Sequence, residues 1–239
     1  RVGYDVATIN EVMDVIEILS FRREFTKLSP FVVLLGKGEH EITTEMENGS
    51  YAVDFTCSNV TFLGKGIDTT TILGGLSIVR EKNIMLKQMT VTNTYGDGIT
   101  IVNSKVEMVD VAIKKCSAGS GLNINNPVDH KVFDKEQVVA IRCQFTENES
   151  GVWASKYSNL KMTDCVVDGN QEYGIIAHDS IVNLHGEATA IHSNGDSGID
   201  SNNLSKVIIH LPSHHNTSYN NNGEDRFTDL GGTITNVED

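Results

Sequence analysis

Five glycines in the second half of the chain are each followed by a short stretch in which apolar and polar residues alternate. The glycines are Gly98, Gly121, Gly151, Gly174 and Gly198, and the intervals between them are 23, 30, 23 and 24 residues. Two further alternations recur within each interval, as at residues 160–162 and 165–167. Alternation with period two is typical of strands that bury one face. The pattern therefore predicts three short strands in each repeat of about 23 residues.

A repeat of this length without helical periodicity predicts an all-β fold, a single-domain right-handed parallel β-helix. In such a solenoid each coil hydrogen-bonds to the next, and the inward residues stack into one continuous core. We expect the repeat glycines to supply turn conformations that a Cβ would resist. Side chains of four asparagines, each close to a preceding corner, are expected to satisfy backbone groups of the turns. These are Asn93, Asn148, Asn170 and Asn194.

The two ends of the repeat carry different patterns. Thr8 and Glu11 form a capping-box pattern, and an apolar stripe at helical spacing follows, so a helix over 8–25 is predicted to cover the first coil. Coils are expected over 30–211, and residues 212–239 read as an irregular polar loop before a last strand near 232–237. We treat residues 1–239 as one domain.

Composition narrows the classes of partner. Nineteen lysines and arginines against 32 aspartates and glutamates give a net charge of −13, which disfavours nucleic acid. The same charge argues less strongly against polyanionic sugars, which bound Ca²⁺ would accommodate. No apolar run approaches the roughly 18 residues of a membrane helix, and no targeting segment is visible, so we expect no membrane partner. A mature secreted protein would have the same features. We expect an extracellular or secreted monomer, with an intracellular location as the alternative.

The four cysteines, Cys57, Cys116, Cys143 and Cys165, lack the spacing of a metal site. They are interpreted as buried free thiols, with disulfides as the alternative, and the register places Cys143 and Cys165 in one inward column. No metal ligands are assigned and no cofactor is firmly implied. The acidic and asparagine-rich strings at 194–203 and 221–230 could supply oxygen ligands for Ca²⁺, but asparagine-rich turns without metal are the favoured explanation.

Two stretches carry a resemblance to a known superfamily. Residues 7–75, with "ATINEVMDVIEI", "FVVLLGKGEHEI" and "NVTFLGKGIDTTTILGG", resemble the start of many pectin-lyase-like β-helices, including pectin methylesterases. Residues 76–210 resemble the generic β-helix repeats of copper-protein maturation factors, mannuronan epimerases and some F-box proteins. The resemblance implies the fold and no single activity, because this fold carries esterases, lyases, hydrolases, epimerases and non-catalytic binders.

The catalytic motifs of these enzymes are not found in the chain. The aspartate segments of pectin methylesterases and the DPHE-type epimerase signature do not occur, and the strings "NTYGDG" and "LHGE" lack the partner residues of polygalacturonases. Whether the protein is an enzyme is left open by the sequence. An enzyme of this type would be a polysaccharide lyase, a glycoside hydrolase or an epimerase.

The predicted register gathers outward side chains of successive coils into columns about 4.8 Å apart per coil. The first column is Thr100, Asn123, Trp153, Ile176 and Asp200; the second is Val102, Asn125, Ser155, His178 and Asn202; the third is Asn103, Asn126, Lys156, Asp179 and Asn203. An insertion within 125–137, which contains His130, is expected to rise beside them. Superfamily enzymes usually bind polysaccharide on this face.

Candidate catalytic residues come from these columns. His178 and Asp179 are a candidate general base and its partner, and Asp179 with Asp200 forms a candidate carboxylate pair. Lys156 is the fourth catalytic candidate. Each has an alternative interpretation, as a solvated surface residue or, for Lys156 and Asp179, as an exposed ion pair.

Candidate substrate-binding residues are Trp153, Asn123, Asn125, Asn202 and His130. Trp153 is predicted either to expose a platform for a sugar ring or to pack under the insertion. The leading hypothesis is a carbohydrate-interacting β-helix that binds or processes a polysaccharide in a groove along one sheet. The alternative is a non-catalytic β-helix that recognises a protein or serves a structural role, including that of a viral surface protein.

Overall fold

The computed structural model describes residues 8–46, 49–127, 137–211 and 217–238. The chain winds into a parallel β-helix in which each coil adds a strand to each of three parallel sheets, called A, B and C here. Sheet A contains Ala52–Phe55, Gly75–Val79, Ile99–Val102, Ser120–Asn125, Ser150–Ser155, Ile175–His178, Ile199–Asn202 and Arg226–Thr228. Three short strands per coil are thus confirmed.

The strands of the other two sheets follow in the same order along the solenoid. Sheet B contains Phe31–Leu34, Val60–Leu63, Val138–Ile141, Asn159–Thr163, Ile181–His185, Lys206–Leu211 and Thr233–Glu238. Sheet C contains Gly38–Glu41, Thr70–Leu73, Gln144–Thr146, Val166–Asp168, Ala190–His192 and Ser218–Tyr219. Two longer strands, Ile84–Thr92 and Val106–Lys114, belong to both sheets because they bend at Gln88 and Asp110, whose φ angles are 55° and 54°.

Inward residues of all three sheets form one continuous apolar core. In sheet A the partners Leu122, Val152 and Ile175 are fully buried, as the alternation predicted. Cys143 and Cys165 stack in neighbouring coils, with the Cys143 amide donating to Sγ of Cys165 at 3.4 Å. All four cysteines are free thiols. Cys116, Cys143 and Cys165 are buried as predicted, whereas Cys57 is only partly buried. The predictions of free thiols and of this inward column are confirmed.

A ladder of asparagine side chains runs along the corner between sheets C and A. Asn148 donates to Oδ1 of Asn170 from both its amide and its Nδ2 at 3.1 Å, and Asn170 makes the same pair of bonds to Asn194 at 3.2 and 2.8 Å. Asn194 continues the ladder to Asn221 at 3.1 and 2.9 Å. Buried turn amides are thus satisfied by side chains, as expected. In the preceding coil Cys116 occupies the equivalent position, and its amide donates to Asn148 at 3.0 Å.

The repeat glycines are needed for a different reason from the one predicted. Gly121 and Gly151 do not have positive φ angles. A Cβ on Gly121 would lie 2.7 Å from Nδ2 of Asn148, and one on Gly151 would lie 2.5 Å from a methyl of Val167. Close packing between coils and against the ladder, and not turn geometry, excludes a larger residue.

The helix that covers the first coil spans Ile9–Ser20. Thr8 is its N-cap in a complete capping box with Glu11, as predicted, and Ile9, Val12, Met13 and Ile16 are buried. The helix is shorter than the predicted 8–25. The apolar stripe is not continued, because the next positions are the polar residues Ser20, Arg23 and Glu24. The amides of Arg22 and Arg23 both donate hydrogen bonds to the carbonyl of Leu19. Phe21 is left 83% exposed.

The C-terminal segment is more regular than the sequence suggested. The predicted last strand is present as Thr233–Glu238. Two strands within the expected irregular loop, Ser218–Tyr219 and Arg226–Thr228, pair in parallel with the preceding coil. The sequence did not predict this coil, because the inward positions of its sheet A strand are occupied by the polar residues Arg226 and Thr228. The strand therefore lacks the alternation of apolar and polar residues. In the described part of the chain no helix is long and apolar enough to cross a membrane.

Candidate functional site

The outer face of sheet A has the predicted register. Asn123 pairs with Trp153, Trp153 with Ile176, and Ile176 with Asp200. Trp153 is 43% exposed, so a large part of the indole faces solvent. Ile176 is only 6% exposed although it points outward. The tryptophan is therefore part of the surface of this sheet and not of the core.

A cleft of about 240 Å³ lies beside the indole, and we call it the Trp153 cleft. It is lined by Asp97, Gly119, Ser120, Asn123, Glu149, Ser150, Trp153 and Glu172. The lining combines one aromatic face with three carboxylates, an amide and two hydroxyls. Such a set can pack against an apolar surface of a ligand and hydrogen-bond to polar groups at its edge.

Asp97 is held in place by its neighbours in this cleft. Its Oδ1 accepts a hydrogen bond from the Ser120 amide at 2.8 Å. Its Oδ2 accepts one from Nδ2 of Asn123 at 2.7 Å and one from the Thr100 hydroxyl at 3.3 Å. The carboxylate and the amide of Asn123 are therefore fixed before any ligand arrives.

Reasoning from sequence missed three carboxylates of the Trp153 cleft: Asp97, Glu149 and Glu172. They lie in the turns before the strands, where the period-two alternation gives no direction for a side chain. One signal was available. The position two residues before the repeat glycine is acidic in three successive coils, at Glu149, Glu172 and Asp196.

His178 and Asp179 are in contact at the opposite end of the sheet A strands. Nδ1 of His178 lies 3.5 Å from Oδ2 of Asp179. Nε2 of the same ring accepts a hydrogen bond from Nδ2 of Asn203. Both ring nitrogens therefore have protein partners, which leaves neither one directed at a ligand in this arrangement.

The third predicted column lies at a turn and not on the strand face. Lys156, Asp179 and Asn203 have φ angles of 48°, 49° and 50°, so the chain leaves the alternation at these residues. Lys156 is exposed, and no ion pair joins it to Asp179 among the residues described. This placement corrects the expectation that the column shares one face with Trp153.

Asp179 and Asp200 are not opposite one another. Asp200 pairs with Ile176, three residues before Asp179. At about 3.3 Å per residue, the two positions differ by ~10 Å along the strand. The catalytic carboxyls of glycosidases lie about 5 to 9.5 Å apart. The register therefore does not set this pair face to face.

Asp200 lies in an environment that favours its protonated form. Partial burial raises its pKa above the ordinary value of 3.8, and the nearby charges of Asp196 and Asp229 act in the same direction. A hydrogen bond from Nδ2 of Asn202 at 3.1 Å opposes this shift. Burial and the charge of Asp196 likewise raise the pKa of Tyr173.

The remaining predicted ligand-binding residues are dispersed. Asn125 and Asn202 lie in the second column, and their Oδ1 atoms are buried without a hydrogen-bond partner among the described residues. His130 lies outside the described residues. Over the described ranges, no three histidine, cysteine or acidic side chains gather as a metal site would require. Asn194 and Asn221, from the two strings considered for Ca²⁺, belong to the buried ladder.

A second cleft, the upstream cleft, adjoins the first and measures about 580 Å³. Its lining includes Ser50, Ala52, Gly75, Asn93, Asp97 and Thr100. Asp97 belongs to both clefts. Tyr51 and Tyr95 are not among its lining residues; their exposed rings meet edge to face, with centroids 6.2 Å apart.

No family model matches the chain, and no curated protein matches its sequence. The A-module of the mannuronan C-5 epimerase AlgE6 from Azotobacter vinelandii is similar in structure, with a TM-score of 0.62 and 13% identity over 98% of this chain and 73% of that one. This chain has the right-handed β-helix fold of the pectin-lyase-like proteins.

A second pectin-lyase-like structure supports the same assignment of fold. A pectin methylesterase solved in complex with a hexasaccharide has a TM-score of 0.55 and 9% identity, over 93% of this chain and 78% of that one. At such low identity the likeness concerns the fold alone.

Proposed function

We propose that this β-helix binds a neutral or amine-bearing polysaccharide on the outer face of sheet A. The observation that carries the proposal is Trp153, the single tryptophan of the chain, which is 43% exposed on the wall of a cleft rich in carboxylates and amides. A sugar ring presents a C–H face that packs on an indole and hydroxyls that donate to carboxylates. The Trp153 cleft offers both.

The charge of the Trp153 cleft supports a neutral or amine-bearing sugar as the ligand. Asp97, Glu149 and Glu172 line it, and no lysine, arginine or histidine is among the described residues of its lining. A uronic acid in this position would be repelled, whereas an amino sugar would be attracted. The net charge of −13 acts in the same direction.

Binding without turnover is the form of the proposal that the geometry favours. Both nitrogens of His178 are occupied, and Asp179 and Asp200 are separated by three positions in the register. The two compared structures are of proteins named for mannuronan and pectin, which supports a polysaccharide as ligand. The charges of the Trp153 cleft favour a neutral or amine-bearing sugar.

The proposal is tested with a panel of oligosaccharides and the variant Trp153→Ala. The probes are chitin, chitosan, cello- and manno-oligosaccharides, with oligogalacturonate and oligomannuronate as acidic members. We expect binding to neutral or amine-bearing probes, with a loss of about tenfold or more in Trp153→Ala. Phe21→Ala should have no effect, because this exposed ring is not among the residues that line the cleft.

Two results would contradict the proposal. One is the absence of binding to every probe by the folded wild-type protein. The other is binding that Trp153→Ala leaves unchanged. New reducing ends or unsaturated products from any probe would show that the protein is an enzyme and would contradict binding without turnover.

A second candidate function is protein recognition, and one observation favours it. Leu28 and Leu34, near the first coil, are 97% and 69% exposed, and Phe21 is exposed beside the end of the helix. Exposed apolar side chains in one region are typical of protein contacts. This candidate gains support if the oligosaccharide panel is uniformly negative. Both functions suit the extracellular location that we propose for the chain.

A further inference from the structure

The outer face of sheet B carries a long apolar surface. Parallel pairing aligns the outward side chains of its strands into two rows, which run from Phe31–Leu34 to Thr233–Glu238. Val32 and Leu34, at one end of the rows, are 48% and 69% exposed. Apolar members of the two rows include Val32, Leu34, Leu63, Val109, Val139 and Ile141. An apolar surface of this kind is typical of a protein contact.

The charged side chains of this face are placed symmetrically about its middle strand, Val138–Ile141. In one row Glu107 pairs with Val139, and Val139 pairs with Lys161. Glu107 and Lys161 therefore lie one strand away from Val139, on opposite sides of it. In the other row the middle position is Ile141. An acid and a base thus flank an apolar centre.

This order is complementary to itself when a second copy is turned about a two-fold axis parallel to the strand Val138–Ile141. Such an axis packs the two sheets face to face, with the solenoids antiparallel, and sets each strand opposite the strand that lies equally far on the other side of the axis. Val139 and Ile141 then face the same residues of the second copy. Glu107 of each copy faces Lys161 of the other, so two ion pairs flank the apolar centre.

The remainder of the face matches in the same arrangement. The exposed Leu34 lies four strands from the axis and faces Val237 of the second copy. Lys87 lies two strands from the axis and faces the ring of His185. No charged side chain of the two rows is therefore set against an apolar one.

Other arrangements of two copies lose this match. A displacement of the second copy by one strand sets Glu107 opposite Val139 or Asn183. A two-fold axis along the solenoid sets Glu107 opposite Val109. Each of these arrangements buries a carboxylate without an opposite charge, which is costly. Charge complementarity therefore selects a second copy in the antiparallel arrangement.

We propose that the outer face of sheet B is the interface of a homodimer, in which two antiparallel solenoids pack about Val139. This differs from the monomer expected from the sequence. In the described part of the chain no residue of sheet B lines either cleft, so both copies keep the Trp153 cleft open. The dimer therefore does not depend on the proposed carbohydrate function, and each can fail without the other.

The experiment measures association by sedimentation velocity over a range of protein concentrations. The proteins are the wild type, Val139→Asp, the single variants Glu107→Lys and Lys161→Glu, and the double variant that exchanges both charges. Val166→Asp is the matched control, because Val166 is an outward valine of sheet C. Thermal unfolding of each variant confirms that the fold is retained.

We expect the wild type to dimerise with a Kd of about 1 μM or below. Val139→Asp sets two carboxylates against each other on the axis and is expected to weaken the dimer by about a hundredfold or more, whereas Val166→Asp leaves it unchanged. Each single charge variant sets like charges against each other, and we expect a loss of about tenfold. The double variant restores opposite charges and is expected to return to the wild-type Kd.

Three results would overturn the proposal. A wild-type protein that stays monomeric at every concentration leaves the apolar face to a different protein. A dimer that Val139→Asp weakens no more than Val166→Asp uses another surface. Single charge variants that dimerise as the wild type does, or a double variant that is not restored, rule out the antiparallel arrangement.

Discussion

Asp97 and Asn123, from neighbouring coils of sheet A, are joined by a hydrogen bond of 2.7 Å between Oδ2 and Nδ2. The other oxygen of the carboxylate accepts from the Ser120 amide at 2.8 Å. Asp97 therefore links the turn before Ile99–Val102 to the next strand of sheet A, Ser120–Asn125. The same side chain lines both clefts. A single side chain contributes to the stability of the coil and to the proposed site.

Substitution of Asp97 separates these two roles. Asp97→Ala leaves the Ser120 amide without its acceptor, and we expect the free energy of unfolding to fall by about 1–3 kcal/mol. Asp97→Asn retains one acceptor oxygen for the Ser120 amide, but its NH2 group cannot accept from Nδ2 of Asn123, so we expect a smaller loss of stability than in Asp97→Ala. Because the charge is removed, we expect this variant to lose the preference for amine-bearing over neutral oligosaccharides. Urea denaturation and titration of chitosan and chitin oligomers measure the two effects. Unchanged selectivity in Asp97→Asn would show that this carboxylate does not contribute to the preference for amine-bearing oligosaccharides.

The asparagine ladder is expected to be a main determinant of stability. Asn170→Ala removes the acceptor of two Asn148 hydrogen bonds inside a buried corner. We expect a loss of at least about 2 kcal/mol, because buried donors without partners are costly. Asn222→Ala, at an exposed position in the same corner region, should change stability by less than about 0.5 kcal/mol. Equal effects of the two substitutions in denaturant unfolding would contradict a special role for the ladder.

Cys116 interrupts that ladder, and restoring it should stabilise the protein. In Cys116→Asn the new Oδ1 would accept a hydrogen bond from Asn93, and the new Nδ2 would donate to the carbonyl of Val91. This carbonyl is equivalent to that of Ile113, which accepts from Nδ2 of Asn148. We expect a gain of about 1 kcal/mol, seen as a higher unfolding midpoint. Burial raises the pKa of the Cys116 thiol to about 12, so the thiol is uncharged at neutral pH. A lower midpoint would mean that the corner has no room for the amide.

Asp200 should make the folded state less stable as the pH rises. Burial raises its pKa above 3.8, so the folded protein holds a proton that the unfolded chain has released. Stability from this residue is therefore complete below about pH 3.8 and is lost as the pH rises through the higher folded pKa. Asp200→Asn should exceed the wild type in stability at pH 7 and match it near pH 3. A difference between the two proteins that does not change with pH would rule out this assignment.

The repeat in the sequence was sufficient to predict the solenoid, its three strands per coil and its register. Strand alternation and a fixed interval are local properties, so Trp153, Ile176 and Asp200 could be placed in one outward column without coordinates. The capping box at Thr8 is equally local and was found for the same reason.

The candidate site is formed by contacts between coils, and these contacts could not be deduced from the sequence. The cleft arises where turns of successive coils approach one another, and turn side chains such as Glu149 and Glu172 have no period from which their direction can be deduced. Positive φ angles end the strand alternation at Lys156 and Asp179, so these two predicted site residues lie at a turn. Local alternation determines which residues point in or out along a strand. Only the packing of one coil on the next decides how turn residues far apart in the chain, such as Asp97 and Glu172, come to share one cleft.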